Sequence, residues 1–248
     1  MSNIITSYSD DNKIKHSVFG LESPFSAVIY GIPNSGKTYF LMNLIKDIKQ
    51  DFDEIILFLG AKDTADSFLK LIDTTQTKPV MKILFKYDET NLKEYIKKLE
   101  NTQIQLMKMK KKPKNILLIA DDIFAFTNFM RTSRSNPSII EEIYANYRHL
   151  NISVIITSQK LKQITPNLRA MAKYFFINGF GKKDLQELSE ELENAYFDKK
   201  SITHCYEIVR KREDAKGNIL FVNRDEDELK QFKHIQRDGQ MIILKPLE

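Results

Sequence analysis

A phosphate-binding pattern occupies eight consecutive residues, Gly31-Ile32-Pro33-Asn34-Ser35-Gly36-Lys37-Thr38, which fit G-x-x-x-x-G-K-[ST]. Gly31 and Gly36 allow a tight turn and a close approach of the backbone to an anion. The N–H groups of such a loop point partial positive charge at phosphates. Lys37 is then expected to reach the β- and γ-phosphates and Thr38 to ligate Mg²⁺. The octet, with the adjoining Tyr39, predicts a site for ATP and Mg²⁺.

Two carboxylates, Asp121 and Asp122, follow the apolar run Ile116–Ala120. The end of a strand in an open parallel sheet lies at the edge where ligands bind. Mg²⁺ prefers oxygen ligands and keeps several waters, so Asp121 is predicted to hold the metal. Asp122 is placed to orient or deprotonate the attacking water. This pair favours an ATP hydrolase over a nucleoside kinase.

A third polar group, Gln159, falls just past the apolar run Ile152–Thr157. Its amide both donates and accepts hydrogen bonds. We therefore interpret Gln159 as a sensor of the γ-phosphate or a group that positions the water.

The elements that must position these groups alternate along the chain. Strand-like runs are predicted at Phe25–Tyr30, Glu54–Leu59, Lys82–Tyr87, Asn115–Ala120, Ile152–Thr157 and Tyr174–Asn178. Helix-like runs are predicted at Lys37–Ile48, Asp63–Ile72, Glu89–Met109, Pro137–Leu150 and Lys183–Leu192. This alternation predicts an α/β fold with a mainly parallel central sheet and helices on both faces. Two strand candidates lie between the phosphate loop and Asp121, which favours a sheet where another strand separates the loop strand from the Asp strand.

Three regions are predicted along the chain: an N-terminal arm (1–20), an ATPase domain (21–200) and a C-terminal appendage (201–248). In the appendage, Ile202–Val209 and Asn218–Val222 are interpreted as a hairpin with a charged tip. Residues 225–248 are interpreted as a short charged helix and a terminal strand.

Composition limits the function classes. A 248-residue chain with 42% hydrophobic residues supports one sizeable domain, and its net charge of +5 is compatible with a polyanionic partner. The single Cys205 excludes an internal disulfide and a cysteine-based zinc cluster, and is expected to be a small buried hydrophobe. The polar N-terminus predicts no signal peptide, and no apolar run approaches a membrane span.

Four segments in fixed order, GIPNSGKT, ILLIADD, YRHLNISVIITSQ and PNLRAMAKYFFI, resemble those of the genome-packaging ATPases of poxviruses, other large DNA viruses and virophages. These enzymes belong to the FtsK–HerA superfamily of ring-forming DNA pumps. The resemblance spans roughly residues 20–180 and implies a RecA-like P-loop NTPase domain. The wider superfamily often has Glu where this chain has Asp122, whereas the poxvirus-type branch tends to carry Asp-Asp.

The resemblance implies a role for each matching position. Lys37, Asp122 and Gln159 would be catalytic, and Thr38 and Asp121 would hold the metal. Arg148 and Arg169 are equal candidates for an arginine that reaches the nucleotide of a neighbouring subunit.

Partners also follow from the resemblance: double-stranded DNA, further copies of the chain in a hexameric or pentameric ring, and proteins of the capsid vertex, but no membrane. The implied location is the host cytoplasm, a viral factory or the virion. Because a pump must tolerate any sequence, DNA contacts should go to phosphates. The candidate contacts are Arg131 and Arg134, in the long loop after Asp122, and then Lys110, Lys111 and Lys112.

Several other functions stay open. Another translocase or helicase of the same superfamily would carry the same motifs. A nucleotide-switched assembly protein would bind ATP without hydrolysing it, although intact Lys37, Asp121 and Asp122 count against that. A GTPase is disfavoured because Gly181 replaces the asparagine of N-K-x-D in Gly181-Lys182-Lys183-Asp184.

Overall fold

A single mixed sheet forms the centre of the molecule. The computed structural model describes residues 20–60, 68, 80–85, 89–122, 139–193, 199–210, 218–224, 232–235 and 241–243. The strands are β1 (Ser26–Tyr30), β2 (Glu54–Leu59), β3 (Val80–Phe85), β4 (Ile116–Asp121), β5 (Ile152–Ser158), β6 (Tyr174–Ile177), β7 (Ile219–Asn223), β8 (Phe232–Ile235) and β9 (Met241–Ile243). Their order is β3-β2-β4-β5-β1-β6-β7-β8-β9. Strands β1 to β6 pair in parallel, and β7 to β9 continue the sheet in antiparallel fashion.

Helices cover both faces of the sheet, as the sequence predicts. They are α1 (Lys37–Ile48), α2 (Glu89–Lys108), α3 (Ile139–Leu150), α4 (Pro166–Met171), α5 (Lys182–Leu192) and α6 (Lys199–Arg210), with short 3-10 turns at Lys49–Asp51 and Leu161–Gln163. Every residue of β1, β2, β4, β5 and β6 is buried. Continuous apolar runs of this kind are typical of parallel strands buried on both faces.

Two cores lie on the two sides of the sheet. Alternate strand residues such as Ile29 and Ile119 pack with Leu41 and Leu44 of α1. Their neighbours in sequence pack into the other core, which includes residues of helices α2 to α6. The period of two along each strand thus divides the apolar residues between the two layers.

Strand β5 separates the loop strand β1 from the Asp strand β4 in the sheet, which confirms the predicted insertion. The register pairs Tyr30 with Ser158 and Leu59 with Asp121. The carboxyl ends of β1, β4 and β5 therefore meet at one edge, which places the phosphate loop, Asp121, Asp122 and Gln159 together.

The predicted hairpin at residues 202–222 is wrong in its first arm. Residues 202–209 lie in helix α6, whose buried side chains Ile202, Cys205, Tyr206 and Val209 recur at helical spacing. Cys205 is buried, as expected, and desolvation raises the pKa of its thiol to about 12.

The C-terminal part extends the sheet. Strand β7 pairs with β6, and β8 and β9 add two short strands where the sequence predicted one after a short helix. Residues 1–19 of the predicted arm (1–20) lie outside the described residues, and so does the predicted helix at Asp63–Ile72 apart from Phe68. No helix of the described part is both long and apolar enough to cross a membrane.

Candidate functional site

The phosphate loop joins β1 to α1 through backbone conformations that depend on glycine. Gly36 has a φ of 94°, in the region that side chains rarely adopt. A Cβ on Gly31 would lie 2.4 Å from the Ser35 hydroxyl oxygen and 3.3 Å from the Asn178 carbonyl oxygen. Helix α1 begins at Lys37, so its N-terminus faces the loop. This geometry is the one that binds phosphate groups.

Two neighbouring strands hold the loop in place. The Gly31 N–H donates to the Ser158 carbonyl at the end of β5 (3.1 Å). On the other side, the Asn178 N–H donates to the Tyr30 carbonyl (2.7 Å), and the Asn178 side-chain amide donates to the Ser35 carbonyl (2.7 Å). The loop is thus fixed from both sides, at its first residue and at Ser35.

The three groups predicted to catalyse hydrolysis lie in direct contact. Lys37 Nζ lies 2.7 Å from Asp122 Oδ1 and 2.8 Å from Oδ2. Gln159 Nε2 donates to Asp122 Oδ2 at 3.1 Å. The Lys37 side chain is 6% exposed and that of Asp122 is 27% exposed, so one side of the carboxylate remains open to a substrate.

One hydroxyl contacts both aspartates, the side chain of one and the backbone of the other. Thr157 Oγ1 donates to Asp121 Oδ1 at 2.7 Å and accepts the backbone N–H of Asp122 at 3.0 Å. Asp122 has a φ of 50°, a left-handed conformation that Asp adopts more readily than most residues. The bond to Thr157 stabilises this turn, which directs Asp122 towards Lys37.

Asp121 is 3% exposed. Burial raises the pKa of its carboxyl, and the charge of Asp122 raises it further. The hydrogen bond from Thr157 and the charge of Lys37 act in the opposite direction. A buried carboxylate with little solvation gains most from a cation.

The donor set at this edge fits Mg²⁺. Asp121 and Thr38 supply hard oxygen atoms, and the described residues contain no group of three or more His, Cys, Asp or Glu side chains around a common metal position. Mg²⁺ at nucleotide sites takes one or two protein oxygens, with phosphates and waters completing the shell.

The family of the chain follows from comparison with known proteins. The sequence model described as "Poxvirus A32 protein" matches residues 15–236. The chain belongs to the poxvirus A32 family. No curated protein sequence matches the chain.

Solved structures share the fold of this A32-family chain. The genome packaging NTPase B204 of Sulfolobus turreted icosahedral virus 2, in complex with AMP, is 16% identical with a TM-score of 0.55, over 92% of this chain and 100% of that one. B204 of Sulfolobus turreted icosahedral virus is 17% identical with a TM-score of 0.56, over 91% and 99%. The pCW3 conjugation coupling protein TcpA is 13% identical with a TM-score of 0.58, over 88% and 60%. At these identities the likeness concerns the fold.

The two candidate arginines of the A32-family chain have different environments. Arg169 is 5% exposed and forms a two-pronged ion pair with Glu191. Its Nη1 donates to the carbonyls of Leu161 (3.0 Å) and Ile164 (2.6 Å). Burial lowers the pKa of Arg169, but Glu191 and the other nearby groups outweigh that effect and the pKa is raised. This guanidinium fastens elements of its own subunit.

Arg148 is exposed at the end of α3. Its Nε donates to the Tyr147 hydroxyl (2.9 Å), and its guanidinium carbon lies 5.5 Å from the centre of the Tyr147 ring. It lines a cavity of about 560 Å³ together with His149, Lys173 and Arg224. Because α3 leads into the start of β5 and Lys173 precedes β6, this basic cavity lies at the opposite edge of the sheet from the phosphate loop.

Other predicted residues are placed as follows. Lys110, Lys111 and Lys112 are exposed after the end of α2, and their role with DNA stays a prediction. Arg131 and Arg134 lie outside the described residues. Ile32 and Tyr39, at the rim of the loop, are 44% and 57% exposed.

Sequence reasoning missed two residues of the site, Thr157 and Asn178. A threonine inside the buried apolar strand β5 and an Asn-Gly pair directly after β6 were the available signals. Neither identifies a contact without knowledge of which strands are neighbours.

Proposed function

We propose that the protein is an ATP-hydrolysing motor that moves double-stranded DNA into a viral capsid. The observation that carries the proposal is the contact of Lys37, Asp122 and Gln159 beside a phosphate loop, in a member of the poxvirus A32 family. The structural likeness to the genome packaging NTPase B204 is consistent with it.

In the proposed reaction, the phosphates of ATP bind the loop N–H groups and compete with Asp122 for Lys37. Asp122 then accepts a proton from a water molecule, whose oxygen bonds to the γ-phosphorus as the bond to the β-phosphate oxygen breaks. Gln159 loses its bond to Asp122 and orients the water or the γ-phosphate. Asp121 and Thr38 would hold Mg²⁺, which neutralises charge on the phosphates when bound. Catalysis is then mainly positioning and charge stabilisation.

A neighbouring copy of the chain is proposed to supply Arg148. Arg169 is less suited, because moving it would break its ion pair with Glu191 and two hydrogen bonds to carbonyls. Arg148 is exposed and lines a cavity together with three other basic side chains, His149, Lys173 and Arg224. An arginine donated by a neighbour accelerates related reactions by about 10³–10⁵, so an isolated subunit should be nearly inactive.

We further propose a ring of subunits around the DNA, with phosphate contacts from Arg131, Arg134 and the exposed run Lys110–Lys112, and docking of the ring on capsid vertex proteins. The net charge of +5 supports an anionic partner. Contacts with phosphates should weaken steeply as the salt concentration rises.

The decisive experiment measures ATPase rates with and without duplex DNA for the wild type, Lys37→Ala and Asp122→Asn. We expect DNA to stimulate only the wild type. A ring that forms but hydrolyses ATP at the same rate without DNA would contradict the packaging motor. Displacement of a strand from forked DNA would favour a helicase instead.

A mixing experiment tests the arginine. Lys37→Ala subunits keep Arg148, and Arg148→Ala subunits keep an intact phosphate loop. A mixture should therefore be more active than the sum of its parts, whereas a mixture of Lys37→Ala with Asp122→Asn, both defective in the loop site, should not. Equal activity of Arg148→Ala and wild type would exclude Arg148.

A further inference from the structure

Asn178, directly after strand β6, contacts the phosphate loop but takes part in none of the proposed catalytic steps. Asn178 is fully buried directly after β6. Its backbone N–H donates to the Tyr30 carbonyl at 2.7 Å, and its side-chain Nδ2 donates to the Ser35 carbonyl at 2.7 Å. A single residue thus contacts the backbone at the beginning and in the middle of the phosphate loop.

The bond to the Ser35 carbonyl has a directional consequence. In a trans peptide the C=O and the following N–H point in opposite directions. When Asn178 holds the Ser35 oxygen below the loop, the N–H of Gly36 points to the other side, where the phosphates bind. Gly36 has a φ of 94° and no Cβ, so its own conformation does little to prevent rotation of this peptide. The orientation of one phosphate-binding N–H therefore depends on the amide of Asn178.

The polar balance around this contact is unusual. Within the described residues, three buried side-chain atoms have no hydrogen-bond partner, and two of them, Ser35 Oγ and Asn178 Oδ1, belong to this pair. An unpaired buried polar atom is costly, and such atoms in native structures call for an explanation. An apolar side chain could fill this position without leaving a buried oxygen unpaired. Only a side chain with an N–H or O–H group can donate to the Ser35 carbonyl, as Asn178 does.

The following Gly179 supports the same arrangement. Its φ of 109° favours glycine, and a Cβ there would lie 3.5 Å from Ile32 and 3.8 Å from the Cβ of Ser35. The Asn178–Gly179 pair thus passes directly beneath the loop, and its backbone path brings the amide within reach of Ser35.

We propose that Asn178 is a positioning residue for nucleotide binding, which fixes the Ser35–Gly36 peptide so that the Gly36 N–H faces the phosphates. The proposal rests on nucleotide binding at the phosphate loop and is independent of DNA movement. Its test is the binding of ADP, which requires neither DNA nor hydrolysis, so failure of the packaging motor would not affect it.

The first test is Asn178→Ala, with the dissociation constant of ADP measured by calorimetry. Loss of one hydrogen bond and of the fixed peptide should weaken ADP binding about five- to tenfold. The matched control is Asn115→Ala, at the amino end of β4, which removes a comparable side-chain bond to a carbonyl (Nδ2 to Asp51, 2.6 Å) and a bond that Oδ1 accepts from the Ser23 hydroxyl (2.9 Å). The control should lower the melting temperature and leave ADP binding unchanged.

The second test is Asn178→Asp, whose effect should depend on pH. A protonated carboxyl can donate to the Ser35 carbonyl as the amide does, whereas a carboxylate repels both that carbonyl and the phosphates. Burial raises the pKa of a carboxyl, so the change should fall in an accessible pH range. The ratio of variant to wild-type dissociation constants should be close to one at about pH 5.5 and rise at least tenfold by about pH 8.

Two results would overturn the proposal. One is ADP binding by folded Asn178→Ala that equals the wild type. The other is a ratio for Asn178→Asp that does not change with pH, because a contact that only supports the fold would not respond to protonation in this way. If Asn178→Ala does not fold, the Asp variant compared at the two pH values decides alone.

Discussion

The ion pair between Lys37 and Asp122 implies that the carboxylate proposed as the general base competes with the nucleotide for the lysine. Both carboxylate oxygens accept from Lys37, and one of them also accepts from Gln159. In Asp122→Asn a single neutral oxygen replaces two charged ones, so Lys37 loses one of its two bonds and the charge assistance of the other. The variant should therefore lose activity while binding nucleotide more tightly.

The size of each effect follows from the contacts. A hydrogen bond to a charged group contributes about 1.5–3 kcal/mol, compared with about 1 kcal/mol for a neutral one. Replacing the carboxylate should weaken the hold on Lys37 by about 1–1.5 kcal/mol, or about five- to tenfold in the dissociation constant of ADP. Loss of a general base should reduce kcat by about 10²–10⁴.

Two measurements are needed. Calorimetry with ADP in the absence of Mg²⁺ reports the contribution of Lys37 without that of the metal, and steady-state hydrolysis of Mg²⁺–ATP gives kcat. Asp121→Asn is the comparison variant, because it removes a negative charge at the same edge but keeps the ion pair, so it should tighten ADP binding less than Asp122→Asn does. Weaker binding of ADP by Asp122→Asn would refute the competition, and so would a kcat within threefold of the wild type.

Two further predictions concern the carboxylates and the hydroxyl between them. Thr157→Val removes bonds to both Asp121 and Asp122, so kcat should fall about ten- to hundredfold. In the wild type the bond from Thr157 lowers the pKa of Asp121, so its loss should move the acid limb of the pH profile to higher pH. An acid limb in the wild-type position would contradict this. Asp121→Asn should abolish hydrolysis yet raise the melting temperature by about 2–4 °C near neutral pH. The pKa of Asp121 is raised in the folded state, so its ionised form costs stability above that pKa; the gain should shrink as the pH falls through the folded pKa and vanish below the unfolded value of 3.8. Equal gains at acid and neutral pH, measured by calorimetric scans, would contradict the assigned cause.

Much of the fold was accessible from the sequence because its elements are locally encoded. Helix α1 has the predicted bounds, Lys37–Ile48, since an amphipathic run begins at the loop glycine. The bounds of the parallel strands were predicted to within two residues, because continuous apolar runs are characteristic of parallel strands. The strand predicted at residues 202–209 was wrong. The β-branched Ile202 and Val209 suggested a strand, although the spacing of the buried residues is that of a helix.

The site divides in the same way. Lys37, Asp122 and Gln159 each follow a recognisable local pattern, and parallel strands bring their ends together. Thr157 and Asn178 act through neighbours set by strand order: β5 lies beside β4, and β6 beside β1. Nothing in the sequence favours Arg148 or Arg169 as the arginine that reaches a neighbouring subunit. The structure distinguishes them, because Arg169 is buried and paired with Glu191. A single sequence does not show which strands are neighbours or which side chains pair across them.

Strand β6 joins the two ends of the molecule that the proposed function uses. It has four residues, a span of about 13 Å at the usual rise per residue, and it pairs with β1 on one side and β7 on the other. Lys173, just before it, lines the basic cavity, and Asn178, just after it, holds the phosphate loop. Because β6 is hydrogen-bonded along both edges, a shift at the cavity would have to move β1 and β7 with it, and β1 leads directly into the phosphate loop. In a ring of such subunits, contact with a neighbour and the affinity for nucleotide would therefore be mechanically coupled within each chain.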